Sequence, residues 1–248
     1  PLGVVVGITP FNFPAMVPLW MFPMALVCGN CFILKPSEKD PSTSLFIAKL
    51  LKEAGLPDGV MQVIQGGKSV VDGLLTNDGI EAVSFVGSTP IAKYIYEKAS
   101  QNGKRCQALG GAKNHAIVMP DCDLENAANQ LVGAAYGSCG ERCMALSVAV
   151  AVGAETADNL AALLTPKLAK LRVGAFYDND NDFGPLISRE HKQKVEGYIS
   201  SAENDGATIV VDGRNPTIEG YSSGYFVGPT LIDNVLPTMT SYQEEIFG

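Results

Sequence analysis

The sequence has 248 residues, 46% of them hydrophobic, enough apolar material for one large domain or two smaller ones, which excludes a disordered chain. A formal net charge of -8 excludes the clustered Lys and Arg of a nucleic-acid or anionic-membrane surface and leaves a small molecule as the expected partner. Six cysteines over this length are too sparse for a disulfide scaffold, so a reducing intracellular compartment is expected, cytoplasm or mitochondrial matrix.

The chain opens inside an apolar strand pattern, L-G-V-V-V-G-I, with no charged leader or cleavage site, and nothing in it indicates export. Residues 15–29 are apolar but shorter than the roughly 20 residues of a membrane span, and Pro18 and Pro23 interrupt them, which predicts a buried helix and no membrane partner. Strands are predicted near 2–8, 31–35, 60–64, 81–85 and 105–109, with helices near 15–29, 41–54, 68–75 and 88–101. That alternation predicts βαβ units and a parallel sheet. Each strand is followed by a polar or glycine-rich turn: P-F-N-F-P, K-P-S-E, Q-G-G, V-G-S-T and L-G-G. Open α/β sheets bind ligands at those carboxyl ends.

A second α/β segment follows, with a strand near 115–118, a helix from about 123 to 136, helices near 155–170 and 188–203, and short strands at 207–211 and 225–232. The Gly110-Gly111 turn is the expected junction, dividing the chain into 1–112 and 113–248.

Two local motifs carry no function. Gly67-Lys68-Ser69 resembles the end of a phosphate-binding P-loop, but that loop needs a further glycine where Gln62 stands. Cys28-Gly-Asn-Cys31 has C-x-x-C spacing but lies where a helix gives way to a strand, the reverse of the thioredoxin order, with no second pair or nearby His for a metal. His115 and His191 belong to no nucleophile motif and are read as structural or surface residues.

Only a thiolate is a good nucleophile, and Cys143 follows Arg142 in a polar loop leaving a helix, a setting that suits a reactive cysteine; Cys139 lacks an adjacent cation. The wider pattern gives this loop its context. P-F-N-F-P at 10–14, K-P-S-E at 35–38, F-V-G-S-T at 85–89, the Cys143 loop, F-G-P-L-I at 183–187 and E-E-I-F-G at 244–248 together resemble the NAD-dependent aldehyde dehydrogenase superfamily, in order and spacing along the whole chain. K-N-H at 113–115 and G-E-R-C-M-A-L-S further resemble its CoA-acylating semialdehyde dehydrogenase branch.

The resemblance implies an α/β fold with a parallel, Rossmann-type cofactor domain followed by a second α/β catalytic domain. It implies that Cys143 attacks the aldehyde, with the Asn12 side-chain amide and the Cys143 backbone N–H holding the oxyanion. For NAD, it implies Lys35 and Glu38 at the adenine ribose, Gly87 and Ser88 at the pyrophosphate, Glu245 at the nicotinamide ribose, and Phe11 and Phe247 among the cofactor contacts. Members run to about twice this length, so the resemblance implies an internal fragment truncated at both ends, from a protein that forms a homodimer or homotetramer.

One departure changes the chemistry. Hydrolytic members carry a water-activating Glu at the start of E-L-G-G, and here the motif reads Ala108-Leu109-Gly110-Gly111. A methyl group takes no proton, so a thiol acceptor, CoA, is expected to release the product, with Arg142 pairing with the carboxylate of a semialdehyde. The products implied are acetyl-CoA from malonate semialdehyde and propionyl-CoA from its methyl homologue, after decarboxylation. Glu141, where the branch would have Gln, leaves open a CoA-independent route with Glu141 as the base; a catalytically silent nucleotide-binding module is the other alternative.

Overall fold

Val6 and Ile8 of the first strand, β1 (Val4–Ile8), pack into one apolar cluster while Val5 packs into another, as the period-two alternation of a strand buried on both faces requires. The computed structural model describes residues 1–248, which divide into two compact units, Pro1–Gly111 and Ala112–Gly248.

In the first unit, β1, β2 (Cys31–Lys35), β3 (Met61–Val63), β4 (Ile80–Val86) and β5 (Arg105–Leu109) form a five-stranded sheet in the order β3-β2-β1-β4-β5. Every pairing is parallel, so the expected parallel α/β sheet is present. Helices α1 (Met16–Val27), α2 (Ser42–Glu53), α3 (Lys68–Thr76) and α4 (Thr89–Gln101) connect the strands. Phe22 of α1 packs with Val5, Phe32 and Leu34 on one face, while Leu74, Leu75 and Ile95 of α3 and α4 pack with Val6, Val83 and Phe85 on the other. Burying each such side chain fully stabilises by about 1.5–3 kcal/mol, so both faces of the sheet hold the unit together. Gly7 has no room for a side chain: a Cβ there would sit 2.5 Å from the Phe32 ring.

The second unit begins with β6 (His115–Val118), α5 (Leu124–Tyr136), β7 (Val148–Ala151) and α6 (Ala154–Leu168), in which β6 and β7 pair in parallel. Ala128, Leu131, Leu160 and Leu164 pack α5 and α6 together with Val118 of β6. Then come α7 (Arg189–Asn204), β8 (Thr208–Val211), β9 (Leu231–Asp233) and the short α8 (Thr240–Gln243), with β8 and β9 antiparallel. Asp123 and Ser188 cap α5 and α7 by accepting from the N–H groups of Asn126 and His191.

Two expectations need correction. The helix expected to be buried, α1, buries only Val17, Pro18 and Phe22 and leaves Leu19, Trp20, Met24 and Val27 exposed. The strand expected at 225–232 shrinks to Leu231–Asp233, because Gly228 instead approaches Gly213, donating its N–H to the Gly213 carbonyl at 2.7 Å, and Pro229 has no N–H to give a ladder. Strand β7 and helix α8 were not anticipated: V-A-V-A offers little contrast between its faces, and α8 is a single turn. No helix is long and apolar enough to cross a membrane.

Candidate active site

The chain runs outward from β1 through β2 to β3, then returns to place β4 on the other side of β1. The point of reversal, between β1 and β4, is where open α/β sheets leave a crevice at their strand ends. Phe11 and Asn12 follow β1, and Gly87 and Ser88 follow β4, so these four residues flank that point. Gly87 donates its N–H to the Leu109 carbonyl at 3.1 Å, and a Cβ on it would lie 2.5 Å from the Phe85 ring. Ser88 is the extended N-cap of α4 and its hydroxyl makes no cap bond, which leaves first-turn N–H groups of α4 without that partner.

Lys35 ends β2 almost wholly buried, its Nζ donating to the Pro36 carbonyl at 2.7 Å and to Glu38 Oε2 at 3.0 Å. A backbone hydrogen bond at Glu38 and then the Lys35 ammonium hold the Glu38 carboxyl below its usual range, against the opposing effect of burial. Lys39 lies over the Phe11 ring, 6.0 Å from its centroid. The A-L-G-G segment is seated on the start of α4: Gly111 N–H donates to Thr89 Oγ1 at 2.9 Å, and a Cβ on Gly110 would come within 3.1 Å of Thr89 Cα. Ala108 packs against the α3–α4 cluster.

In the second unit, α5 runs into a 3-10 turn, Gly137–Gly140, in which Ser138, Cys139 and Gly140 all have left-handed backbone, with φ of 52°, 47° and 76°. Three such residues in succession turn the chain sharply, and non-glycine residues take this conformation only when packing holds them there. Cys139 does pack, against the cluster of Leu186, Val195, Ile199 and Val227. Gly140 is needed twice over, since a Cβ there would also lie 2.7 Å from the Gly248 carbonyl carbon.

Glu141 follows, buried. Its Oε1 accepts from Ile187 N–H at 3.2 Å and lies 3.6 Å from His191 Nε2, and its Oε2 faces the Cys139 thiol at 3.8 Å. Burial, and then the Glu141 charge, pushes the Cys139 thiol up to about 12. Arg142 Nη1 reaches back to the Gly133 carbonyl near the end of α5 at 3.4 Å, over Gly137, where a Cβ would meet the guanidinium at 2.5 Å. Arg142 Nε is buried without a hydrogen-bond partner.

Cys143 lies in a turn closed by Ala145 N–H on the Arg142 carbonyl, at 3.1 Å. Together with Arg142, Glu245 and Phe247 it lines a cavity of about 600 Å³ within the second unit. Glu245 Oε1 accepts from Ala112 N–H at 3.3 Å, and the Phe247 carbonyl lies 2.7 Å from His191 Nε2.

The aldehyde dehydrogenase family model matches residues 1–248. The chain belongs to the aldehyde dehydrogenase family. Among relatives, it is 60% identical over 248 residues to a malonate-semialdehyde dehydrogenase of Pseudomonas aeruginosa and 56% identical over 247 residues to one of Halalkalibacterium halodurans, covering all of this chain and 50% of each relative. Among solved structures, it matches a methylmalonate-semialdehyde dehydrogenase from Oceanimonas doudoroffii with a TM-score of 0.99 at 70% identity, covering 100% of this chain and 51% of that one. A putative methylmalonate-semialdehyde dehydrogenase from Sinorhizobium meliloti, solved with NAD, matches with a TM-score of 0.99 at 55% identity, covering 100% of this chain and 50% of that one. This aldehyde dehydrogenase chain thus spans about half the length of the relatives it matches.

Within this aldehyde dehydrogenase chain, the residues singled out by sequence fall into two groups. Phe11, Asn12, Lys35, Glu38, Gly87 and Ser88 stand at the strand ends of the first unit, and Arg142, Cys143, Glu245 and Phe247 around the cavity of the second. Sequence reasoning missed three polar side chains that hold the second group. Lys113 Nζ donates to the carbonyls of Ser241 and Glu244, Asn114 Nδ2 donates to those of Cys143 and Ala145, and Tyr198 donates its hydroxyl to Glu244 Oε2. The K-N-H motif was the available signal for the first two.

Proposed function

We propose that the chain is part of an NAD-dependent, CoA-acylating dehydrogenase of malonate semialdehyde or its methyl homologue. The observation that carries this reading is that neither position offered for the water-activating base, 108 or 141, supplies a free carboxylate. Position 108 holds a methyl group, and the Glu141 carboxylate is engaged by Ile187, His191 and Cys139, while Cys143 opens on a cavity. The names of the relatives support the substrate class.

NAD fits the first unit. The α4 N-terminus without a side-chain cap suits the pyrophosphate, and a carboxylate at Glu38 suits ribose hydroxyls and repels a 2′-phosphate. Gly87 and Ser88 would hold the pyrophosphate, Lys35 and Glu38 the adenine ribose, and Glu245 the nicotinamide ribose, with Phe11 and Phe247 as further contacts. When bound, NAD supplies the acceptor for the aldehyde hydride.

In the proposed chemistry the Cys143 thiolate adds to the aldehyde carbon, giving a thiohemiacetal whose oxyanion is held by the Asn12 amide and the Cys143 N–H. One such donor is worth about 2.7–4 kcal/mol in the transition state. Arg142 pairs with the substrate carboxylate, which orients the aldehyde toward Cys143. After oxidation the acyl group remains on Cys143 as a thioester. Its β-carboxylate leaves as carbon dioxide, because the thioester carbonyl stabilises the carbanion, which then takes a proton. With Ala108 unable to make hydroxide, the thioester awaits CoA, whose thiol is far more acidic than water and needs less activation. Further copies of the chain, as a dimer or tetramer, are the expected protein partners.

The test is NADH formation from malonate semialdehyde by the full-length protein at enzyme-level stoichiometry, with and without CoA. A burst that stops without CoA and turns over with it supports the reading. Equal turnover without CoA replaces it with hydrolysis, and no burst in either case leaves a nucleotide-binding protein without this chemistry.

A further inference from the structure

We propose that Lys113 and Asn114, adjacent residues leading into β6, are positioning residues for the two halves of the site: Lys113 sets the segment carrying Glu245, and Asn114 sets the turn carrying Cys143. The inference rests on the reading of Cys143 as nucleophile and Glu245 as a ribose ligand.

Neighbouring side chains on extended backbone point to opposite sides, so two consecutive residues can reach two different segments. Asn114 uses its amide Nδ2 on the carbonyls of Cys143 and Ala145, both at 2.9 Å. A side-chain amide has two N–H donors, so one group satisfies both carbonyls and fixes the Cys143–Met144 and Ala145–Leu146 peptide planes. The Asn114 carbonyl also accepts from Val148 N–H at 3.1 Å, at the start of the β6–β7 ladder. The turn carrying Cys143 is thereby tied at both ends to one residue.

Lys113 donates to the carbonyls of Ser241 and Glu244 at 2.7 and 2.8 Å. The first carbonyl lies within the single turn of α8 and the second is its C-cap, directly before Glu245, where a cation is favoured by unsatisfied helix carbonyls. Burial draws the Lys113 pKa down while the Glu245 carboxylate opposes that effect, so the ammonium is partly desolvated in the position it holds. Next to it, Ala112 N–H donates to Glu245 Oε1 at 3.3 Å, and His115 Nε2 lies 3.0 Å from the Tyr242 hydroxyl. Four consecutive residues, 112–115, therefore engage the 241–245 segment or the Cys143 turn.

The roles separate in experiment because they act on different observables. In the full-length protein, Asn114→Asp keeps the shape but replaces donors with acceptors facing two carbonyls. It is expected to slow iodoacetamide labelling of Cys143, read by mass spectrometry, by about tenfold or more, with NAD affinity by calorimetry held within about twofold. Lys113→Met is expected to do the reverse, weakening NAD by about tenfold while Cys143 labels at the wild-type rate, and Lys113→Arg should restore binding. Asn114→Ala, which adds no charge, serves where the Asp variant does not fold.

Unchanged labelling in both Asn114 variants, or equal loss of both observables in every variant, would overturn the assignment, the second outcome marking a merely structural role. Failure of the underlying reading looks different: a Cys143→Ala protein that still gives the NADH burst, or a Glu245→Ala protein that binds NAD normally.

Discussion

His191 Nε2 stands between two segments of the site, 3.6 Å from Glu141 Oε1 in the cysteine loop and 2.7 Å from the carbonyl of Phe247. With Ile187 N–H on the same Glu141 oxygen, the carboxylate joins the loop to the start of α7. A group so engaged is a poor base for water. Glu141→Gln keeps the size and an acceptor oxygen, so the CoA dependence of turnover should be unchanged and no CoA-independent rate should disappear. Steady-state rates of the full-length variant with and without CoA check this; a hydrolytic rate lost in the Gln variant would make Glu141 the base.

The same carboxylate separates the two cysteines of the loop. Cys139 is held as a thiol, pushed to about 12 by burial first and by Glu141 second. Between pH 7 and pH 9, alkylation should therefore modify Cys139 far more slowly than it would an exposed thiol of ordinary pKa. Glu141→Gln should move the Cys139 labelling profile to lower pH while leaving it above the ordinary range, since burial remains. Peptide mapping over a pH series reads both effects, and a profile that does not move would mean Glu141 does not act on that thiol.

Much of this was legible in the sequence because the signals were periodic or chemically distinctive. β-branched runs ending in glycine-rich turns located the parallel sheet, and the strand-end motifs located Lys35, Gly87 and the Cys143 loop. The side chains that brace the site were not legible. Asn114 acts on carbonyls 29 and 31 positions away, and Lys113 on carbonyls 128 and 131 positions away, distances no local pattern encodes. Likewise the sequence left His191 between a structural and a surface role, because its partners, Glu141 and Phe247, lie in other segments.

Gly140 offers a test of the loop backbone. Its φ of 76° is costly for any residue with a side chain, and an added Cβ would lie 2.7 Å from the backbone of Gly248. Gly140→Ala should destabilise the protein by about 1 kcal/mol or more and reduce the NADH burst, because the loop must shift away from the 244–248 segment. Denaturant unfolding with burst titration measures the two effects. Wild-type values for both would show that the tight approach is dispensable.

At the adenine-ribose position, Lys35→Met preserves the buried stem and removes the ammonium that Glu38 accepts from. NAD affinity should fall by about tenfold, equivalent to about 1.4 kcal/mol. The pH dependence follows from the Glu38 shift: with its carboxyl held below the usual range, binding that needs the anion persists to lower pH than an ordinary Glu would permit, then falls as the carboxyl protonates. In the Met variant that acid limb should move up toward the usual range, though incompletely, because the backbone hydrogen bond at Glu38 is the larger cause and remains. Calorimetric NAD titrations across the acid range distinguish this from a loss of packing, which would lower affinity equally at every pH.

The raised Cys139 pKa also makes a prediction about stability. The folded chain holds the proton more tightly than the unfolded chain, in which the thiol titrates near its ordinary value of 9.0. Below that pH the thiol is protonated in both states and its contribution is fully present. As pH rises from about 9 toward 12, the unfolded state loses the proton first and stability declines. Tyr198, pushed to about 12 by burial and then by Glu244, adds a decline of the same sign, so the Cys139 part must be taken as a difference. Cys139→Ala should melt somewhat lower than wild type near pH 7, from the lost packing against Leu186 and Val195, yet lose less on going to pH 11. Melting curves of the two proteins that ran parallel from pH 8 to pH 11 would mean that the Cys139 thiol ionises in the folded protein as easily as in the unfolded chain, and that neither burial nor Glu141 holds its proton.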